Sequence, residues 1–412
     1  MKHVMCIPLL CIVISTTTAM ATEELSPYLC QGKYLTPEQG KAMLAKRLSQ
    51  THNREEWEDY SQHLHDCILK GMDLYPLPRR TPLNVISRNK RQHDGYTVEN
   101  IAIETVPGYF AGCNLYCPVE LDGLAPVVLC PNGHWGDSRF NEQVQIRCAM
   151  LARMGVIALS IGNFGWGSDP DQAVPRIHVR TLALTMQTWN NMRALDYLLS
   201  LDHADPQRVG VTGASGGGTQ TLLLTALDDR VTVSAPVAMV SSYMFGGCLC
   251  ESGKPIHRSA DHFTNNVEIT ALAAPRPLLV VSDGGDWTAD TPDVEYPFIK
   301  KIYTLYDAQS QVTNVHFPEE GHDYGPNKRA AMYRFMAEQF GLNTERIQDD
   351  QGQIDETPVV IEDIPTMQVF NESNPFPANV CKSAEEIEAS LKHLQGPAGP
   401  SIEITSQPTP RL

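Results

Sequence analysis

Val211-Thr212-Gly213-Ala214-Ser215-Gly216-Gly217-Gly218-Thr219-Gln220 is the stretch that decides how this chain folds. A short β-branched run (Val209, Val211) leads into it, and a helix-forming run (Leu222 to Leu227) leaves it. The pattern Gly-x-Ser-x-Gly in that setting predicts a strand, a sharp turn and a helix. Small residues on both sides let neighbouring backbone pack against a strained serine. The Ser215 hydroxyl then stands above the sheet, where the following helix N-terminus stabilises negative charge.

The same residues nearly spell a dinucleotide-binding loop, Thr-Gly-x-x-x-Gly-x-Gly, and Tyr296 with Lys300 supplies a Tyr-x-x-x-Lys. Three features oppose that reading. The last glycine of the pattern falls on Thr219, and about 120 residues of strand-like and helix-like sequence precede the loop. The strand that follows, Val231 to Val237, contains Ser-Ala-Pro-Val where a ribose-binding acid is expected.

Outward from the motif, strand and helix patterns alternate. Val98 to Thr105 and Tyr109 to Tyr116 read as an antiparallel pair, and Pro126 to Cys130 as a buried strand. Asn141 to Met154 reads as a helix, Val156 to Ile161 as a strand, and Leu182 to Leu201 as a long amphipathic helix feeding the strand Arg208 to Thr212. Val231 to Val240, Pro277 to Ser282 and Val312 to Phe317 follow as strands, and Lys328 to Phe340 as the closing helix. This rhythm predicts an α/β fold, a mostly parallel central sheet with helices on both faces. Residues 241–269, rich in Gly, His and Cys, break the rhythm and are expected over the C-terminal edge of the strands.

The expected organisation is a signal peptide over 1–21, an N-terminal helical extension over 22–95, a catalytic domain over 96–342 and a polar, partly disordered, irregular C-terminal tail over 343–412. The first segment has Lys2 and His3, an apolar run from Val4 to Ile14, and Ala19-Met20-Ala21 as a cleavage site after Ala21. That predicts a secreted or periplasmic protein. The run is too short to span a bilayer, and Cys11 lacks a lipoprotein context, so no stable membrane insertion is expected. A single possible helix, Ala384 to Leu394, interrupts the tail.

The 412 residues carry a net charge of −16, which disfavours a polyanion partner, so no nucleic acid is expected. Nine cysteines follow residue 21: Cys30, Cys67, Cys113, Cys117, Cys130, Cys148, Cys248, Cys250 and Cys381. An odd number cannot all pair within one chain, though some disulfides fit an oxidising compartment. Their spacings lack the double Cys-x-x-Cys of a zinc site, so no metal is expected.

A serine hydroxyl needs a base and an acid to orient it, and with this turn they follow in the order Ser, Asp/Glu, His. Leu278 to Trp287 reads as a strand ending in a glycine turn with two aspartates, and Gly284-Gly285 favours Asp286 as the acid. Asp283 and Glu251 are the alternatives. His322, in Glu320-Gly321-His322-Asp323-Tyr324, lies after the acid and before the closing helix, where the base belongs. His316 sits inside a strand pattern and reads as structural, while His257 and His262 fall in the irregular segment. The oxyanion-hole donors are expected to be the N–H groups of Gly216 and of His134, with Trp135 next in line for the second. Trp135, Trp166 and Trp287 fall on loops leaving strand C-termini, where ligands bind, and are candidate substrate-binding residues.

Together these residues resemble the α/β-hydrolase superfamily and, within it, the secreted acetylxylan-esterase-like carbohydrate esterases. The resemblance covers Tyr96 to Leu342. It is carried by Pro-Asn-Gly-His-Trp (131–135), Gly-Ala-Ser-Gly-Gly-Gly-Thr-Gln (213–220), Gly-Gly-Cys-x-Cys-Glu (246–251), Gly-Asp-Trp-Thr (285–288) and Glu-Gly-His-Asp-Tyr (320–324). It implies a triad of Ser215, Asp286 and His322 and no metal or organic cofactor. Glucuronoyl esterases carry an Arg directly after the nucleophile, and this chain has Gly216 there, which argues against a glucuronoyl ester. The function expected is an exported serine esterase acting on small acyl, chiefly acetyl, esters of a carbohydrate, either a small molecule or a polysaccharide. A peptidase of the prolyl-oligopeptidase type is disfavoured because residues 22–95 are too few for its propeller. A catalytically silent binding module on the same fold is disfavoured by the intact triad.

Overall fold

The computed structural model describes residues 31–167 and 169–396. The expected signal peptide, Cys30 and the last sixteen positions lie outside them. The strands are β1 (Ile86–His93), β2 (Tyr96–Val106), β3 (Tyr109–Pro118), β4 (Ala125–Pro131), β5 (Ile157–Ile161), β6 (Ala204–Ala214), β7 (Val233–Val237), β8 (Leu278–Asp283) and β9 (Val312–Phe317). They form one nine-stranded sheet in the order β1-β2-β3-β5-β4-β6-β7-β8-β9. β1, β2 and β3 run antiparallel to their neighbours, and every pair from β5 through β4 to β9 is parallel.

Alternation along the central strands explains why these runs are apolar throughout. Val127, Leu129, Val209 and Val211 pack into one cluster, while Val128, Cys130 and Ala158 point into the other. With a period of two and helices on both faces, every position is buried. One face is covered by α2 (Arg54–Gly71), α4 (Leu182–Leu199) and α5 (Gly216–Leu227), and the other by α3 (Glu142–Arg153) and α9 (Pro326–Phe340). Near β8 and β9, α1 (Pro37–Leu48), α7 (Asn266–Ala271) and α8 (Glu295–Thr304) enclose a third cluster around Trp57 and Phe298. Both N-terminal helices are capped as their sequences imply: Thr36 forms a capping box with Gln39, and Asn53 accepts from the Glu56 N–H. No helix among the described residues is long and apolar enough to cross a membrane.

Two expectations change. The segment 22–95 is not wholly helical, because residues 86–93 form the edge strand β1. Its sequence, Ile-Ser-Arg-Asn-Lys-Arg-Gln-His, is polar because an edge strand faces solvent and must resist pairing with other chains. The segment expected as a loose tail is instead packed over 343–396. Val369 and Phe370 join Ala102 and Phe110 in a fourth cluster, and their N–H groups donate to Asp171 at 2.9 and 2.8 Å. Asn100 donates to the carbonyls of Thr366 and Gln368, on either side of the end of the short helix α10 (Ile364–Met367). The last helix, α11 (Ala384–Gln395), buries Ile387, Leu391 and Leu394 in the main core. Few apolar residues are needed because much of this docking is hydrogen bonding to β2, β3 and the loop that holds Asp171.

Candidate active site

β6 ends at Ala214 and α5 begins at Gly216, so Ser215 occupies the turn, at φ +55° and ψ −124°. Such a conformation costs a non-glycine residue on the order of 1–3 kcal/mol and persists only where its surroundings fix it. Here the Ser215 N–H donates to Val237 O at 3.1 Å, and its carbonyl accepts from the Thr219 N–H at 2.9 Å. A Cβ at Gly213 would lie 2.5 Å from Pro131 O, so backbone of the β4 exit packs directly against the turn. Ser215 itself remains partly exposed.

Asp286 and His322 arrive on the loops that leave β8 and β9. His322 Nδ1 donates to Asp286 Oδ2 at 2.6 Å, and Asp286 Oδ1 accepts from both the N–H and the hydroxyl of Thr288 at 2.6 Å. Burial alone would raise the Asp286 pKa, but these hydrogen bonds outweigh it and hold the carboxyl below its ordinary value. Because Nδ1 faces Asp286, Nε2 is the nitrogen of His322 left to take a proton. The imidazole packs against two indoles, with ring centroids 5.7 Å from Trp135 and 4.5 Å from Trp287.

The other two candidate acids have different partners. Asp283 is buried against Lys328, 3.2 Å away, and burial together with the Asp286 charge raises its pKa. Glu251 accepts the N–H groups of Gly247 at 2.5 Å and Cys248 at 3.1 Å, bracing the loop before the short helix α6 (Leu249–Ser252). Sequence reasoning missed Lys328. From the start of α9 this buried lysine donates to Gly321 O at 2.5 Å and to Asp323 at 2.7 Å, on both sides of His322, while pairing with Asp283. It ties the acid loop to the base loop.

His316 bonds Ser282 Oγ within the sheet at 2.9 Å. His257 stacks on Phe245 and bonds Asn266, and His262 bonds Ser259 and Ile256 O. All three brace local structure. Tyr296 and Lys300, the residues of the rival nucleotide-binding pattern, lie on α8, where the Tyr296 hydroxyl donates to Val312 O.

The Gly216 N–H opens α5 and the His134 N–H leaves the β4 loop, and neither has a protein partner among the described residues. A Cβ at Gly216 would lie 2.8 Å from His134 Cε1 and 3.3 Å from Glu251 Oε1. The space that an arginine after the nucleophile would need is therefore filled by an imidazole and a carboxyl group.

That imidazole belongs to a second cluster. His134 Nε2 is 2.9 Å from His178 Nε2, 3.0 Å from Cys250 Sγ and 3.3 Å from Cys248 Sγ. The two sulfurs touch, whereas Cys67, Cys113, Cys117, Cys130, Cys148 and Cys381 have no disulfide partner among the described residues. Burial lowers the His134 pKa to about 4, with the neighbouring His178 charge adding to it, and burial lowers that of His178. Trp166 packs edge-on against both rings, at 4.7 and 5.0 Å, so this indole is turned toward the histidine pair. Among the described residues, these four side chains form the cluster that could hold a metal ion. Spacing rules missed them because the donors come from three separate loops. The one local signal was Cys248-Leu249-Cys250.

No family model matches the chain. The structure aligns with "Methylesterase BT1017" at a TM-score of 0.80 and 41% sequence identity, over 88% of this chain and 81% of that one. An acetyl xylan esterase fold from Bacteroides fragilis NCTC 9343, named "putative acetyl xylan esterase (BF1801)", aligns at a TM-score of 0.53 and 17% identity over 68% of this chain and 79% of that one. In sequence, "Putative hydrolase YtaP" of Bacillus subtilis (strain 168) is 27% identical over 230 residues, 49% of this chain and 74% of that protein.

Proposed function

From the premise that this chain is an ester hydrolase of the α/β-hydrolase superfamily and belongs to the family of Methylesterase BT1017, we propose that it cleaves a methyl ester through Ser215, His322 and Asp286. The observation that carries the triad is the 2.6 Å bond from His322 Nδ1 to Asp286, on the loops neighbouring a serine held at positive φ. Ser215 Oγ attacks the ester carbonyl carbon as its proton passes to His322 Nε2. Asp286 keeps the imidazole in the required tautomer and stabilises the imidazolium. The N–H groups of Gly216 and His134 receive the oxyanion. Collapse returns the proton to the leaving alkoxide, which departs as methanol, and water then releases the acid from the acyl-enzyme by the same steps in reverse.

An acetyl ester is the second reading, favoured by the motifs shared with acetylxylan-esterase-like proteins. The two place bulk on opposite sides of the scissile bond: a methyl ester has a large acid and a small alcohol, an acetyl ester the reverse. In either case the tryptophans beside His322 support a sugar-borne ester, because indole faces stack on sugar rings. The test measures methanol and acetate release from methyl-esterified and acetylated sugars by residues 22–412, beside Ser215→Ala. Methanol release that falls by about 10⁴-fold or more in the variant is the expected result. Acetate without methanol would select the second reading. Turnover equal in the two proteins would remove Ser215 from the reaction.

A further inference from the structure

Three loops that leave the C-terminal ends of β4, β5 and β7 converge on four donor atoms. His134 follows β4, His178 follows β5, and Cys248 and Cys250 follow β7. One ligand atom from each residue lies within 4.8 Å of all the others, in a buried to half-buried setting. We propose that these four side chains form a closed, four-coordinate site for one divalent cation of the zinc type, which fixes the three loops around the nucleophile.

The donor chemistry points there. The His178 Nδ1 faces Phe164 O at 2.8 Å, and a carbonyl only accepts, so Nδ1 carries the proton and Nε2 presents its lone pair to the cluster. A ring nitrogen held by a backbone carbonyl while the other faces inward is the usual support of a metal-ligating histidine. Two imidazoles and two thiolates match a zinc-type ion in softness and in tetrahedral count. Two thiolates also neutralise the ion's two positive charges, so the assembled site is uncharged and suits burial beneath Trp166. On binding, each thiol gives up one proton to solvent and both sulfur lone pairs go to the metal.

The rival state is an oxidised Cys248–Cys250 pair, since the two sulfurs are in contact. It closes a ring across a sequence separation of only 2, so its chain-entropy contribution is small. It also leaves the bare Nε2 of His178 facing a neutral sulfur. A cation satisfies all four donors together. With four protein ligands and no open position, the ion is structural. Its effect on the reaction passes through His134, whose ring touches the Gly216 position and whose N–H is assigned to the oxyanion.

The experiment is metal analysis of the full chain, expressed with zinc, purified without chelator and dialysed, beside Cys248→Ser/Cys250→Ser. The expected result is about one zinc per wild-type chain and none above background in the double variant. A second readout covers a variant that fails to fold. Titrating wild-type protein with a mercurial thiol reagent should release its zinc in step with two thiols, and cobalt(II) replacement should give a thiolate-to-cobalt charge-transfer band. Wild-type protein that holds no zinc and, once reduced, takes up no cobalt overturns the proposal. So does peptide mapping that finds Cys248 linked to Cys250 throughout in zinc-grown protein. None of these readouts depends on ester turnover, so failure here is separate from failure of the esterase reading.

Discussion

At the scale of single residues, Asp286, Lys328 and Gly216 give distinguishable predictions. Asp286→Asn should lower kcat by about 10⁴-fold by favouring the wrong imidazole tautomer, measured under saturating substrate. The same variant has a stability signature. Because the folded pKa of Asp286 is depressed, its contribution is present above the unfolded carboxyl pKa of about 3.9 and is lost as pH falls through the lower folded value. The stability difference between wild type and Asp286→Asn should therefore shrink in acid, as read by thermal denaturation at a series of pH values. Lys328→Met removes no reacting group, yet frees both loops, so kcat should drop about 10- to 100-fold with intact acid–base chemistry. Gly216→Ala drives a methyl group into His134 Cε1 and should cost kcat by a similar factor while the protein still folds, checked by circular dichroism beside the assay. Turn chemistry and chain order single out Ser215, Asp286 and His322 as the proposed triad, and His322 lies 2.6 Å from Asp286. Lys328 and His178 were not legible in the sequence, since a lone lysine opening a helix and a lone histidine in an irregular loop carry no local pattern. The Lys328–Asp283 pair and the His178 cluster are set by the closing of loops that are far apart in sequence.

Among the elements, legibility followed burial. Strands such as β4 and β8, buried on both faces, announce themselves as apolar runs. β1 shows no such run because it faces solvent, and α8 was obscured by the glycine- and aspartate-rich loop before it. The stretch 364–371 misled for a related reason: its anchor points are backbone N–H groups of Val369 and Phe370 on Asp171 rather than a stripe of apolar side chains. That anchor gives a prediction. Asp171 also pairs with the fully buried Arg139, so Asp171→Ala takes the close carboxylate from a buried cation, leaving Asp169 at 3.5 Å, and strips two amides of their acceptor. It should destabilise the fold by about 3–5 kcal/mol in chemical denaturation. Leu391→Ala, which removes packing alone from α11, should cost about 2–5 kcal/mol.

For the molecule as a whole, the sheet order sets where chemistry can occur, because the parallel strands β4 to β9 all point their C-terminal ends to one edge. The loops there carry Ser215, Asp286, His322 and the four-donor cluster, while the antiparallel β1 to β3 stand to one side. Those three strands are the first made, and the segment that covers them is among the last. Residues 366–370 seal Asn100 and Asn114, and the backbone around Cys381 bonds Gly108. Until that segment emerges, the β2–β3 hairpin has amide side chains without their partners and an uncovered apolar patch at Ala102 and Phe110. Folding therefore cannot close progressively from the N-terminus during synthesis. The final contacts join residues more than 250 positions apart, a contact order that favours slow folding and keeps the chain open until it is nearly complete.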